Sequence, residues 1–112
     1  ELKKNIPNYF FSSFDILSLE CVVKNIPLAR KSLLVEKNSP YKKKDIIDIC
    51  EKYNCFSIGL EIDMINSEIV EFFKKNNLII TVFTVNDEKI AKSIFSLGVD
   101  SIFTDRPDFF NF

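Results

Sequence analysis

Residues 78 to 104, LIITVFTVNDEKIAKSIFSLGVDSIFT, decide the fold. The apolar run 78 to 85 has the length of a strand, and beyond it Ile90, Ile94 and Leu97 recur three or four apart, the spacing of one helical face. Gly98 follows where a left-handed helix C-cap is wanted. A second short apolar run, DSIFT (100 to 104), comes directly after it. Two strands joined by a helix-length crossover pair in parallel, because the crossover returns the chain to the edge at which the first strand began.

The same unit repeats towards the amino terminus. YFFSSF (9 to 14), SLLVE (32 to 36) and FSIGL (56 to 60) are further strand candidates, and residues 15 to 25, 42 to 53 and 66 to 76 carry helical spacing. Asn66 and Asn86 each precede a helical stretch with early acidic residues and are the expected N-caps. Asn77 is a second expected left-handed cap. Residues 37 to 43 form a loop or helix entrance, and Pro107 opens an expected short terminal helix. Strands beginning roughly every 22 to 24 residues suit two α/β architectures. One is a five-stranded doubly wound sheet, complete at this length; the other is the C-terminal part of a βα barrel, whose eight units take about 250 residues. No linker or low-complexity stretch divides the chain, so 1–112 is one unit or part of one.

Composition removes whole classes of function. Fifteen Lys and Arg against sixteen Asp and Glu leave a net charge of -1, which provides no basic field for nucleic acid or an anionic membrane surface. There is no histidine, so His-based acid/base catalysis, His-containing triads and His metal ligation are beyond these residues alone. Ser12, Ser13 and the cysteines have no basic partner for nucleophilic chemistry. The two glycines, Gly59 and Gly98, form no phosphate-cradling loop. Cys21, Cys50 and Cys55 are odd in number and contain no CxxC pair, which suits buried thiols in a reducing compartment. No apolar stretch reaches the roughly 18 residues of a membrane span, and the start lacks the pattern of a signal peptide. The expected location is cytoplasmic.

In both architectures the functional residues lie at the carboxyl ends of the strands. Those positions hold Phe14, Glu36, Glu61, Asp63, Phe83, Asn86, Thr104 and Asp105. Phe14 and Phe83 either plug the core or wall a pocket. Glu36, Glu61 and Asp105, from three different strands, are candidates for a Mg²⁺ or Ca²⁺ contact, or else rim residues, with Asp105 capping the terminal helix. Lys42, Lys43 and Lys44 read as a solvated helix entrance.

Four segments in order, SSFD (12 to 15), SLLVE (32 to 36), ITVFTVND (80 to 87) and LGVDSIFTDRPD (97 to 108), resemble the C-terminal half of the glycerophosphodiester phosphodiesterases. The resemblance runs from about Tyr9 to the end. It implies a phosphodiesterase barrel of the TIM type, with the five strands here as strands 4 to 8 and the N-terminal catalytic half absent. It further implies hydrolysis of glycerophosphodiesters to an alcohol and glycerol 3-phosphate, in phospholipid and glycerol metabolism. The family's divalent cation (Mg²⁺ or Ca²⁺) and histidine pair belong to motifs of the first three strands, so this chain alone is expected to be inactive. Residue by residue, the resemblance gives Phe14 as an apolar wall beside the glycerol and Phe83 at a position usually held by Trp or Tyr. Glu61 stands where relatives more often carry Asn, and Gly59 replaces a larger residue; substrate contacts are expected from Phe14, Phe83 and Glu61. The alternative is a catalytically inactive half-barrel that self-associates or binds another chain, because an opened barrel leaves two sheet edges and an apolar inner face.

Overall fold

The computed structural model describes residues 10–25 and 30–105. Five strands, β1 (Phe10–Ser13), β2 (Arg30–Val35), β3 (Ser57–Glu61), β4 (Ile79–Phe83) and β5 (Ser101–Ile102), form one sheet in sequence order. Every neighbouring pair is parallel. Helices α1 (Ile16–Asn25), α2 (Lys43–Tyr53), α3 (Ser67–Lys75) and α4 (Glu88–Ser96) make the crossovers, and a 3-10 turn (Ile62–Met64) follows β3. Strand, helix and again strand, with no change of order, is the progression of a barrel wall; a doubly wound sheet would reverse its order part way.

Alternation along the strands separates two faces. Leu33 and Val35, Ile58 and Leu60, and Ile80 and Val82 are buried and share one face through the register Leu33 to Ile58 to Ile80 and Val35 to Leu60 to Val82. Leu19, Ile46, Cys50, Val70, Phe73, Ala91 and Ile94 from the four helices complete the core with them. On the other face lie Leu34, Gly59, Thr81 and Ser101 in one row, the last two joined by a 2.7 Å hydroxyl hydrogen bond. β2 begins two residues before SLLVE, because Lys31, whose charge hides the strand in the sequence, is itself buried.

The helix ends follow local chemistry, with one exchange of roles. Asn66 accepts the Ile69 N–H at 2.8 Å and caps α3. The cap of α4 is Asp87, which accepts the Ile90 N–H at 3.1 Å, and not Asn86. The Asn86 amide oxygen instead accepts the Thr104 hydroxyl at 2.7 Å and the Asp105 N–H at 3.0 Å, tying the segment after β4 to the segment after β5. Gly98 (φ +106°) and Asn77 (φ +63°) adopt the expected positive φ, and so does Asn54 (φ +55°) after α2. β5 is shorter than DSIFT suggests, although the Phe103 N–H still reaches the Val82 carbonyl at 2.9 Å. The expected helix at Pro107 lies outside the described residues.

Asp100 anchors the last crossover. Its carboxylate accepts Lys74 Nζ at 2.8 and 2.9 Å and the Ile80 N–H at 2.8 Å. Partial burial opposes ionisation, but the Lys74 ammonium and the amide outweigh it and hold the carboxyl below its ordinary value. Such a group stabilises the fold fully above the unfolded-state value of about 3.9 and loses that contribution as pH falls through the lower folded-state value. Asp100→Asn is therefore expected to lower the urea midpoint at pH 7 and by less at about pH 3, below the unfolded-state value. A gap of equal size at both pH values would show that the carboxylate charge is not what matters.

Candidate active site

β1 ends at Ser13, and Phe14 is the next residue, on the face opposite the helices. Three strand spacings separate β1 from β4, about 14 Å in a flat sheet, yet the Phe14 and Phe83 rings meet edge to face with centroids 5.7 Å apart. The sheet therefore curls towards this face. Gly59 lies between them on the same row as Leu34, and a Cβ there would run into the Leu34 side chain and touch the Phe83 ring. The glycine lets Leu34 lie flat across β3.

Beside this aromatic pair a depression of about 320 Å³ is lined by Phe14, Leu34, Glu36, Asn38, Ser39, Pro40 and Tyr41. Its outer wall is the loop after β2. The Ser39 N–H returns to the Glu36 carbonyl at 3.0 Å, and the Tyr41 N–H is accepted by the Ser39 hydroxyl at 3.2 Å. Glu61, at the end of β3, accepts the Lys37 N–H at 2.8 Å. That bond pins the loop to the neighbouring strand. The lining offers aromatic faces, the hydroxyls of Ser39 and Tyr41, an amide and one carboxylate, which suits an uncharged polyol better than a phosphate.

Of the residues singled out in the sequence, Phe14, Phe83 and Glu36 converge here, with Glu61 acting on the loop. Asn86, Thr104 and Asp105 form a separate tie, and Asp63 is exposed in the 3-10 turn. The loop residues Asn38, Ser39, Pro40 and Tyr41 were legible only as a loop or helix entrance. Their position directly after a strand's carboxyl end is the signal that marks them as site residues.

For a divalent cation the residues do not fit. One Glu61 oxygen is committed to the loop, and the Asp105 backbone is held in the Asn86 tie. Among the described residues no group of three or more carboxylates or thiols could hold a metal ion.

Parallel βα units that curl towards the face bearing a hollow at the strands' carboxyl ends define the barrel class of enzyme folds. Comparisons with known proteins sharpen this. A model of the glycerophosphoryl diester phosphodiesterase family matches residues 3–109. The chain belongs to that family. A glycerophosphodiester phosphodiesterase of Bacillus altitudinis is 46% identical over 44 residues, 39% of this chain and 18% of the relative. Among solved structures, an Oleispira antarctica phosphodiesterase in complex with the product sn-glycerol-3-phosphate superposes with a TM-score of 0.79 at 22% identity, over 88% of this chain and 38% of the other. A Thermotoga maritima glycerophosphodiester phosphodiesterase gives 0.69 at 24% identity, over 93% of this chain and 47% of the other. At such identities the likeness establishes the fold, a TIM-type barrel wall. The chain spans less than half the length of each of these relatives.

Proposed function

We propose that this chain supplies strands 4 to 8 of a glycerophosphodiester phosphodiesterase barrel and walls the glycerol side of its substrate pocket. The observation that carries the reading is the Phe14 and Phe83 pair beside the hollow at the strands' carboxyl ends. The substrate class is a glycerophosphodiester, hydrolysed to an alcohol and glycerol 3-phosphate. In this reading Phe14 and Phe83 pack on the carbon skeleton of the glycerol. Glu61 acts on substrate through the loop it pins. The phosphate, the divalent cation (Mg²⁺ or Ca²⁺) and the histidine pair lie against the first three strands, outside this chain. The setting is phospholipid and glycerol metabolism in the cytoplasm, which the three free thiols suit; no described helix is long and apolar enough to cross a membrane.

The test is hydrolysis of glycerophosphocholine by the chain alone and by the chain joined to three βα units of a family member carrying the histidine and cation motifs. Turnover is expected only from the joined form. In it, Phe83→Ala is expected to raise KM about tenfold or more while Tm falls by less than about 4 °C. A large loss of Tm with unchanged KM would return Phe83 to the core and remove the substrate role.

A second reading, an inactive half-barrel that associates with itself or another chain, is favoured by the inner face. Phe14, Ile79 and Phe103 are each 40–47% exposed there, and β1 and β5 each pair with a single strand among the described residues. Sedimentation at rising concentration tests it. A chain that stays monomeric to millimolar concentration would discard self-association.

A further inference from the structure

The far end of the sheet, at the amino ends of β3 and β4, holds a second arrangement of reactive groups. Helix α2 ends in a Schellman turn: the Cys55 N–H bonds the Cys50 carbonyl at 2.8 Å, the Asn54 N–H bonds the Glu51 carbonyl at 3.4 Å, and Asn54 between them is left-handed. This motif brings the side chains of its first and sixth residues into contact, usually as an apolar pair. Here both are cysteines. Both side chains face the same depression beside the turn. The Cys55 N–H to Cys50 carbonyl bond holds the two backbones side by side, as a disulfide between them would need.

Two further features distinguish the pair from inert core thiols. Both cysteines, though only 4% and 8% exposed, line a solvent-open depression of about 190 Å³, together with Ile47, Glu51, Asn54, Asn76, Asn77 and Leu78, which gives a small oxidant a path towards them. The two sulfurs are also unequal. The hydrogen bond from Cys50 and the nearby Lys31 ammonium outweigh burial and lower the Cys55 thiol, while the same hydrogen bond, with burial, raises Cys50. A thiol of lowered pKa beside a partner of raised pKa is the order of an attacking and a resolving cysteine.

We propose that Cys50 and Cys55 are a redox-active dithiol, oxidised by hydroperoxides to an intrachain disulfide. The Cys55 thiolate attacks one peroxide oxygen and the O–O bond breaks. The departing hydroxide takes a proton to become water, leaving Cys55 as a sulfenic acid, oxidised by two electrons as the peroxide is reduced. Cys50 then loses its proton and attacks the Cys55 sulfur; the S–S bond forms, the S–OH bond breaks, and hydroxide leaves as a second water. Two thiols and one hydrogen peroxide become one disulfide and two waters. The site lies at the opposite end of the strands from the aromatic hollow.

The exposed Cys21 serves as an internal control. The reduced chain is treated with one equivalent of hydrogen peroxide, quenched by alkylation in denaturant, and mapped by mass spectrometry. The expected result is a Cys50 to Cys55 crosslink formed about tenfold or more faster than any oxidation of Cys21, reversed by dithiothreitol. In Cys50→Ser, dimedone should trap a sulfenic acid on Cys55, and Lys31→Met should slow the first step. Both residues recovered fully alkylated, or Cys21 oxidised first, in the unaltered chain would overturn the proposal without reliance on any variant.

Discussion

Phe73→Ala is expected to cost the fold about 3–5 kcal/mol. Phe73 is 1% exposed and meets Phe72 edge to face at 5.1 Å. The helix that carries it, α3, has nine residues, too few to persist in water without tertiary contacts. Val70 and Phe73 are its only fully buried side chains. Removing the ring leaves a cavity and takes away one of the two fully buried side chains that fix the helix to the sheet. Against the 5–15 kcal/mol of a typical small domain that loss is large. The check is urea unfolding of the chain beside Phe72→Ala. The half-buried Phe72 ring lies under the Lys43 ammonium, 5.1 Å from its centroid, and should cost clearly less. A loss below about 1 kcal/mol at Phe73 would mean that the core closes around the gap.

Gly98→Val carries the second large effect. The backbone at Gly98 has φ +106°, where side chains of L-residues are strained, and an added Cβ would also stand 3.4 Å from Val70 Cγ1. A β-branched residue has little freedom to avoid that contact. The expected cost is about 2 kcal/mol, a fall in Tm of about 8 °C or more for a domain of this size. Asn77→Gly makes the opposite test, since it relieves a positive φ of +63° and should leave Tm unchanged or raise it. A loss of Tm in Asn77→Gly would show that the asparagine side chain, and not backbone strain, governs that position.

The parallel βα units were legible because their signals are local, while the choice of a barrel over a doubly wound sheet came from the four matching segments and not from spacing. Apolar runs alternate with helical spacing, and Gly98 and Asn77 mark the ends of helices with residues that tolerate positive φ. Where the reading failed, charge or competition between neighbours was the reason. Arg30 and Lys31 hide the start of β2, since nothing in the sequence says that Lys31 is buried. Asn86 and Asp87 are both good caps, and only the position of Thr104, eighteen residues on, decides that Asn86 is used elsewhere. The site was half legible. Strand ends located Phe14, Phe83 and Glu61, but which of them touch depends on how far the sheet curls, and that curl is a property of all five strands together. The pairing of Cys50 with Cys55 depends on the left-handed Asn54, which a sequence without glycine at that point conceals.

Gly59 gives the hollow its depth by what it lacks. With a hydrogen for a side chain, β3 forms a trough across the curled face, and Leu34 settles into it instead of standing up between Phe14 and Tyr41. A methyl group at this position would lift Leu34 out of the trough and into the space a ligand needs, shrinking the cavity from beneath while every residue on its rim stayed in place. The capacity of the site is thus set from below, by one atom on a strand that adds no side chain to its lining.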